Sequence, residues 1–190
     1  MPSVFSHAAS GLAIGTAYWQ PHVPARFWIA GALVAALPDI DSIGFRFGVA
    51  YGDTLGHRGL THSLVFAAVL AAVVVAVLFP SGAGPVSRSQ LWLFLFLATA
   101  SHGVLDALTN GGLGVAFFDP FVDARYFFPF RPIQVSPIGV RSFFTERGLR
   151  VLASELVWVW LPSVIFAAAA LWLRRRRQTY VDRVAVAVDE

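Results

Sequence analysis

Seven titratable side chains constrain this chain more than any other feature. His7, Asp39, Asp41, His57, His62, His102 and Asp106 all lie at the ends of strongly apolar segments. Ionisable groups at the margin of a bilayer are costly, and they persist mainly where they pair with one another, with a metal or with a substrate. They come from four places: His7; Asp39 and Asp41 after Leu37-Pro38; His57 and His62 around Gly59; and His102 with Asp106. Imidazole combined with carboxylate is the donor set of hydrolytic metal sites.

The apolar segments set the frame for that cluster. Five stand out, near residues 8–19, 27–37, 64–79, 91–108 and 152–173. With 57% hydrophobic and only 13% charged residues among 190, and a mean hydropathy of +0.67, the chain is not an ordinary soluble domain. We expect an all-α, multi-pass transmembrane bundle of four to five apolar helices, forming one integral-membrane domain over residues 1–177. At ~1.5 Å rise per residue the first two stretches reach only part-way through a ~30 Å hydrocarbon core, so they need extension by flanking residues, tilt or a half-spanning hairpin. Pro162 in the last stretch is expected to kink that helix rather than end it. The start lacks a basic n-region and a small-residue cleavage site, so no cleavable signal peptide is expected.

Residues 109–150 differ in kind. Phe117-Phe118-Asp119-Pro120-Phe121 and Tyr126-Phe127-Phe128-Pro129-Phe130-Arg131-Pro132 are too broken by proline for a long helix. Aromatics mixed with arginine suit the membrane–water interface, so the segment reads as an interfacial lid. The polar stretch 178–190 reads as a flexible tail.

Alternation of the apolar segments then does the topological work. His7 begins the first, Asp39 and Asp41 end the second, His57 and His62 precede the third, and His102 and Asp106 close the fourth. All four clusters fall on one side, and His22 falls on the other. Arg174–Arg177, with Arg26 and Arg88, place the opposite side and the C-terminus in the cytoplasm, so the site faces outward. Arg46, Arg58, Arg125, Arg131, Arg141, Arg147 and Arg150 stand against that assignment.

Local spacing refines the roles. His102 and Asp106 are four apart on a predicted helix and share a face. Gly59 predicts a turn, with Thr61 capping a helix that starts near His62. Asp39 and Asp41 can face one ion, or divide the roles of ligand and general base. Arg58 is the candidate for holding an anionic substrate; Arg125 and Arg131 are weaker candidates that suit interfacial anchoring. Thr61, Ser63, Ser101, Thr109 and Asn110 are candidate outer partners of the histidines, and Glu155 is either a further ligand, an outer partner or a surface carboxylate.

Composition excludes some classes. With no cysteine, thiolate ligands are out. The net charge of +3 comes from arginine alone, because the chain has no lysine. The run Arg174–Arg177 follows an apolar helix directly, so it reads as a membrane flank and not as a nucleic-acid patch. Polar residues gathered at one side of the membrane argue against a metal or proton carrier. The sequence leaves the oligomeric state open.

These motifs resemble the YdjM-like family of bacterial inner-membrane proteins, described as membrane-bound metal-dependent hydrolases, some under LexA control. The resemblance rests on His7, Leu37-Pro38-Asp39-Ile40-Asp41, Gly56-His57-Arg58-Gly59-Leu60-Thr61-His62-Ser63 and Ser101-His102-Gly103-Val104-Leu105-Asp106-Ala107-Leu108-Thr109, with Gly112-Leu113-Gly114-Val115 and Phe128-Pro129-Phe130 behind them. The order His7, Asp39, His62 or His57, His102 and Asp106 is similar, more remotely, to zinc phospholipase C and S1/P1 nuclease, although an N-terminal Trp ligand and a later His-x-x-x-Glu pair are absent. The resemblance implies zinc, one or two ions, and attack of activated water on a phosphoester of a membrane lipid or lipid-linked head group. In that reading His7, Asp39, Asp41, His57, His62, His102 and Asp106 are the candidate ligands, and Asp39, Asp41 and Arg58 the candidate catalytic residues. The alternative is a non-enzymatic stress-response membrane protein with a structural metal site.

Overall fold

Short polar or proline-containing turns between the apolar stretches predict a chain that doubles back on itself, and it does. The computed structural model describes residues 1–137 and 145–188, with side chains as far as residue 178. Helix α1 (Val4–Thr16) turns at 17–24 into α2 (Ala25–Ala36). The two approach closely at their glycines: a Cβ on Gly11 would stand 2.6 Å from the Gly31 carbonyl oxygen. After α2 the chain tightens into a 3-10 helix, Leu37–Phe47, with Pro38 in its first turn.

Helix α3 (Leu64–Leu78) begins at Ser63, whose hydroxyl accepts from Phe66 N at 3.0 Å. Ser63 therefore caps it in place of the expected Thr61, which is occupied elsewhere. Helix α4 (Arg88–Ala107) opens on a reciprocal capping box between Ser87 and Gln90, satisfying two backbone donors at once. Helix α5 (Glu146–Glu155) passes through a π-helical turn at Leu156–Trp160 into α6 (Leu161–Val188), which carries helical backbone well into the polar stretch. Pro162 lacks an N–H and disfavours regular α bonding to the preceding turn; the π turn lies directly before it, and the helix continues past it.

Helix α4 is central and packs against α1, α2 and α3, while α6 lies along α1. The apolar core joins α2, α3 and α4 around Phe27, Phe94 and Leu95, with the Phe27 and Phe94 rings stacked at 4.4 Å. Only isolated bridges, such as Thr109 with Ile133 and Val115 with Tyr126, occur among the described residues, and no strand. The all-helical class is therefore as expected.

The number of spans is not. Two helical stretches are long and apolar enough to cross a membrane, Ala25–Phe47 and Glu146–Gln178, where four or five were expected. Length limits α1 and α3, whose 13 and 15 residues give about 20 and 22 Å of rise, short of a ~30 Å core; α4 has 20 residues but carries Arg88, Gln90, His102 and Asp106. Glu146–Gln178 is covered little by the rest of the chain and presents Val164, Ile165, Phe166 and Trp172 outward. The part of 109–150 that is described contains exposed Phe118, Phe121 and Phe130. Arg141 and the rest of 138–144 lie outside the described residues.

Candidate metal centre

Four chain segments deliver polar side chains to one buried place. His7 comes from the second turn of α1, Asp39 from the 3-10 helix, His62 from a single 3-10 turn (Leu60–His62), and His102 with Asp106 from the last two turns of α4. His7, His102 and Asp106 are fully buried and His62 nearly so. Asp39 keeps 11% side-chain exposure, which makes it the open edge of the cluster.

The donors stand close together without hydrogen bonding to one another. His102 Nε2 is 3.2 Å from Asp39 Oδ1, His62 Nε2 is 3.5 Å from Asp106 Oδ2 and 3.8 Å from Asp39 Oδ1, and His7 Nε2 is 3.5 Å from Asp106 Oδ1. None of these atoms has a hydrogen-bond partner. Buried polar atoms are almost always satisfied, so a convergent set of such donors is one that could share a common partner. One donor atom from each of Asp39, His62, His102 and Asp106 lies within 4.8 Å of the others. Two imidazoles and two carboxylates at that spacing fit a tetrahedral divalent cation such as zinc.

The nitrogens facing away from the cluster are held in place. His102 Nδ1 lies 2.7 Å from the Ala35 carbonyl, so it carries the proton and leaves the Nε2 lone pair for a metal. His62 Nδ1 lies 3.2 Å from Asp41 Oδ2 in the same relation. Burial disfavours charge on His62, but the nearby carboxylates of Asp106, Asp39 and Asp41 outweigh that and push the group up to about 10. The carboxylates thus create a field that favours positive charge.

Asp39 and Asp41 part company here. In a 3-10 helix successive residues turn about 120°, so residues two apart point in different directions. Asp39 faces the cluster. Asp41 faces His57, whose Nδ1 is 2.7 Å away, and also accepts from Thr61 Oγ1 at 2.6 Å and Arg58 N at 3.1 Å. Asp41, His57 and His62 do form a second group of close donors. Its short contacts are hydrogen bonds, however, and no atom of Asp41 or His57 is among the orphans. These two therefore brace His62 from behind, through the hydrogen bond of His57 to Asp41 and the ion pair of Asp41 with His62.

Arg58 is placed differently from the expected substrate-holding cation. It is wholly buried, with Nε 2.8 Å from Asp106 Oδ2, Nη1 donating to the Gly111 carbonyl at 2.8 Å and Nη2 to Thr109 Oγ1 at 3.0 Å. Its backbone is left-handed, φ +64°, a conformation disfavoured for a side chain of this size. Gly112 is needed alongside: a Cβ there would meet Arg58 Nη1 and the Tyr51 hydroxyl at 2.7 Å.

Other expected partners find separate duties. Arg125 donates to the carbonyls of His57, Tyr51 and Asp53, tying the segment after α4 to the loop before α3, and Arg131 lies over Phe127. Ser101 bonds back to Ala98, and Asn110 joins Gln134 and Val135. Glu155 is buried and accepts from Ser3 Oγ at 2.6 Å and Ser6 Oγ at 2.7 Å, so it fastens the last helix to the segment that carries His7. His22 lies outside the cluster, as its turn requires. The Ala35 carbonyl and Ser3 escaped the sequence reading; a backbone acceptor has no residue signature, and a lone serine carries too little.

Comparison with known proteins adds the remaining observations. The family described as YdjM inner membrane protein matches residues 1–179. Inner membrane protein YbcI of Escherichia coli (strain K12) is 43% identical over 179 residues, covering 93% of this chain and all of the relative. Uncharacterized protein YvsG of Bacillus subtilis (strain 168) is 29% identical over 121 residues, 59% of this chain and 71% of the relative. No solved structure matches the chain significantly.

Proposed function

From the premise that the chain belongs to the YdjM inner membrane protein family, we propose that it is a membrane-bound, metal-dependent hydrolase acting on phosphoesters of lipids or lipid head groups. One observation carries the metal: buried, unpartnered donor atoms of Asp39, His62, His102 and Asp106 converge from three separate parts of the chain. The donor set suits zinc. When bound, such an ion supplies Lewis acidity to a phosphoryl oxygen and acidifies water at neutral pH.

The chain's own residues prepare that chemistry. Asp41 holds His62 in the ligating tautomer, the Ala35 carbonyl does so for His102, and Arg58 fixes Asp106. Arg58 and Asp41 are thus positioning residues, and both oxygens of Asp41 are already accepting. Asp39, the one ligand with exposed side-chain surface, marks where a substrate enters. The lipid class rests on access, because the partly exposed Asp39, with exposed Leu37 and Ile40 on either side of it in the chain, meets lipids first in an inner-membrane protein.

In this reading the chain is multi-pass. The shorter helices α1 and α3 sit partly within the bilayer, the metal centre faces outward, and the C-terminus is cytoplasmic with Arg174–Arg177 as its anchor. A second reading has its own support in the depth of the cluster, since closed sites are structural and catalytic ones keep an open position. There the same metal fixes the fold of a non-enzymatic stress-response protein. The test is to incubate detergent-purified, zinc-loaded protein with phospholipids and follow head-group release. Release that vanishes in a folded His102→Ala variant supports the hydrolase; no release from zinc-loaded protein across the phospholipid classes favours the structural site.

A further inference from the structure

Resting on that metal-centre reading, we propose that the cluster holds two divalent cations, bridged by Asp39 and Asp106, with His7 as the second ion's own imidazole ligand. The donors outnumber what one ion can use. A tetrahedral ion takes His62 Nε2, His102 Nε2 and one oxygen from each aspartate. That leaves His7 Nε2 and the other two carboxylate oxygens, all buried and all without a hydrogen-bond partner.

The leftover atoms are not scattered. Asp39 turns Oδ1 toward His102 and His62, at 3.2 and 3.8 Å, and Oδ2 toward His7 at 4.0 Å. Asp106 turns Oδ2 toward His62 and Oδ1 toward His7, each at 3.5 Å. Both aspartates therefore present one oxygen to the His62 and His102 side and the other to the His7 side, which is how a carboxylate bridges two ions. Two donors about 2.1 Å from one tetrahedral ion stand about 3.4 Å apart, longer than a good hydrogen bond and close to the separations seen here.

His7 adds a second, independent indication. It is fully buried, and neither ring nitrogen has a hydrogen-bond partner. Its ring stacks on that of His102 at 3.6 Å and 10°. Parallel imidazoles at that distance repel if both are protonated but are well placed as neutral ligands to neighbouring ions. The Met1 amino group, 3.9 Å from Asp106 Oδ1, is beyond hydrogen-bond distance and does not satisfy that oxygen. Two ions about 3.5–4 Å apart form the arrangement that clamps both the attacking and the leaving oxygen of a phosphoester.

The experiment is metal counting on the full chain in detergent, titrated with zinc and washed. About two zinc ions per chain is the expected result. One per chain overturns the second ion and leaves the metal-centre reading standing; none overturns both. His7→Gln should drop the count from two to one, and retention of two would remove His7 from the site. Because a buried substitution can disturb folding, the wild-type protein loaded with manganese provides a separate measurement. An exchange-coupled electron paramagnetic resonance spectrum is expected, and a spectrum of isolated Mn2+ ions alone would overturn the proposal.

Discussion

His102 Nε2 and Asp39 Oδ1 lie 3.2 Å apart, both buried, and neither is hydrogen bonded. They come from different helices and aim at the same point, with the far side of His102 fixed by the Ala35 carbonyl. His102→Ala and Asp39→Asn should each remove a ligand. The expected loss of zinc affinity exceeds the ~10–100-fold that an outer partner is worth. Competition against a chromophoric chelator measures it, with circular dichroism as the check on folding.

Asp41 should behave as an outer partner. Asp41→Asn weakens the hold on His62 and His57 without removing a ligand, so zinc affinity should fall by ~10–100-fold while the number of ions bound at saturation stays unchanged. A lower saturating number would instead make Asp41 a ligand.

Arg58 separates two roles cleanly. Arg58→Met leaves the buried Asp106 carboxylate without its cation, which should cost about 3–5 kcal/mol in stability. Arg58→Lys should not restore it, because an ammonium cannot reach Asp106, Gly111 and Thr109 together. Unfolding titrations of the purified variants give the figure. Full stability with impaired head-group binding would return Arg58 to the substrate-holding role.

Metal removal should loosen the bundle. An ion bound only by the folded state stabilises it by ~2.7 kcal/mol at a hundred times its Kd. A chelator should therefore lower the melting temperature, and added zinc should restore it. His102→Ala should show a smaller difference in melting temperature with and without chelator than the unaltered protein does.

Orientation can be read with single cysteines, since the chain has none of its own. Gly52 is exposed, and a Cβ there meets nothing within 4 Å. Gly52→Cys, near the metal centre, should react with an impermeant maleimide on whole cells. Ser81→Cys, in the exposed turn between α3 and α4, should react only after lysis. The reverse pattern would turn the site to the cytoplasm.

Much of this protein is written in local sequence. Runs of apolar residues, broken by Pro21, Pro24 and the 80–87 turn, determine the helices, because burial and backbone satisfaction act over a few residues at a time. Placement of His7, Asp39, His62, His102 and Asp106 at helix ends, on alternating segments, was enough to bring them to one side. What sequence could not decide was which of several adjacent donors joins the unpartnered cluster. Asp39 and Asp41 differ only in which side of a 3-10 turn they occupy, and that turn forms because Pro38 and the surrounding contacts tighten the chain there. His57 and Arg58, equally plausible beside His62, were drawn into a hydrogen bond with Asp41 and an ion pair with Asp106 by packing across the bundle. Those contacts join residues up to about fifty positions apart, and only the folded chain brings such groups within bonding distance.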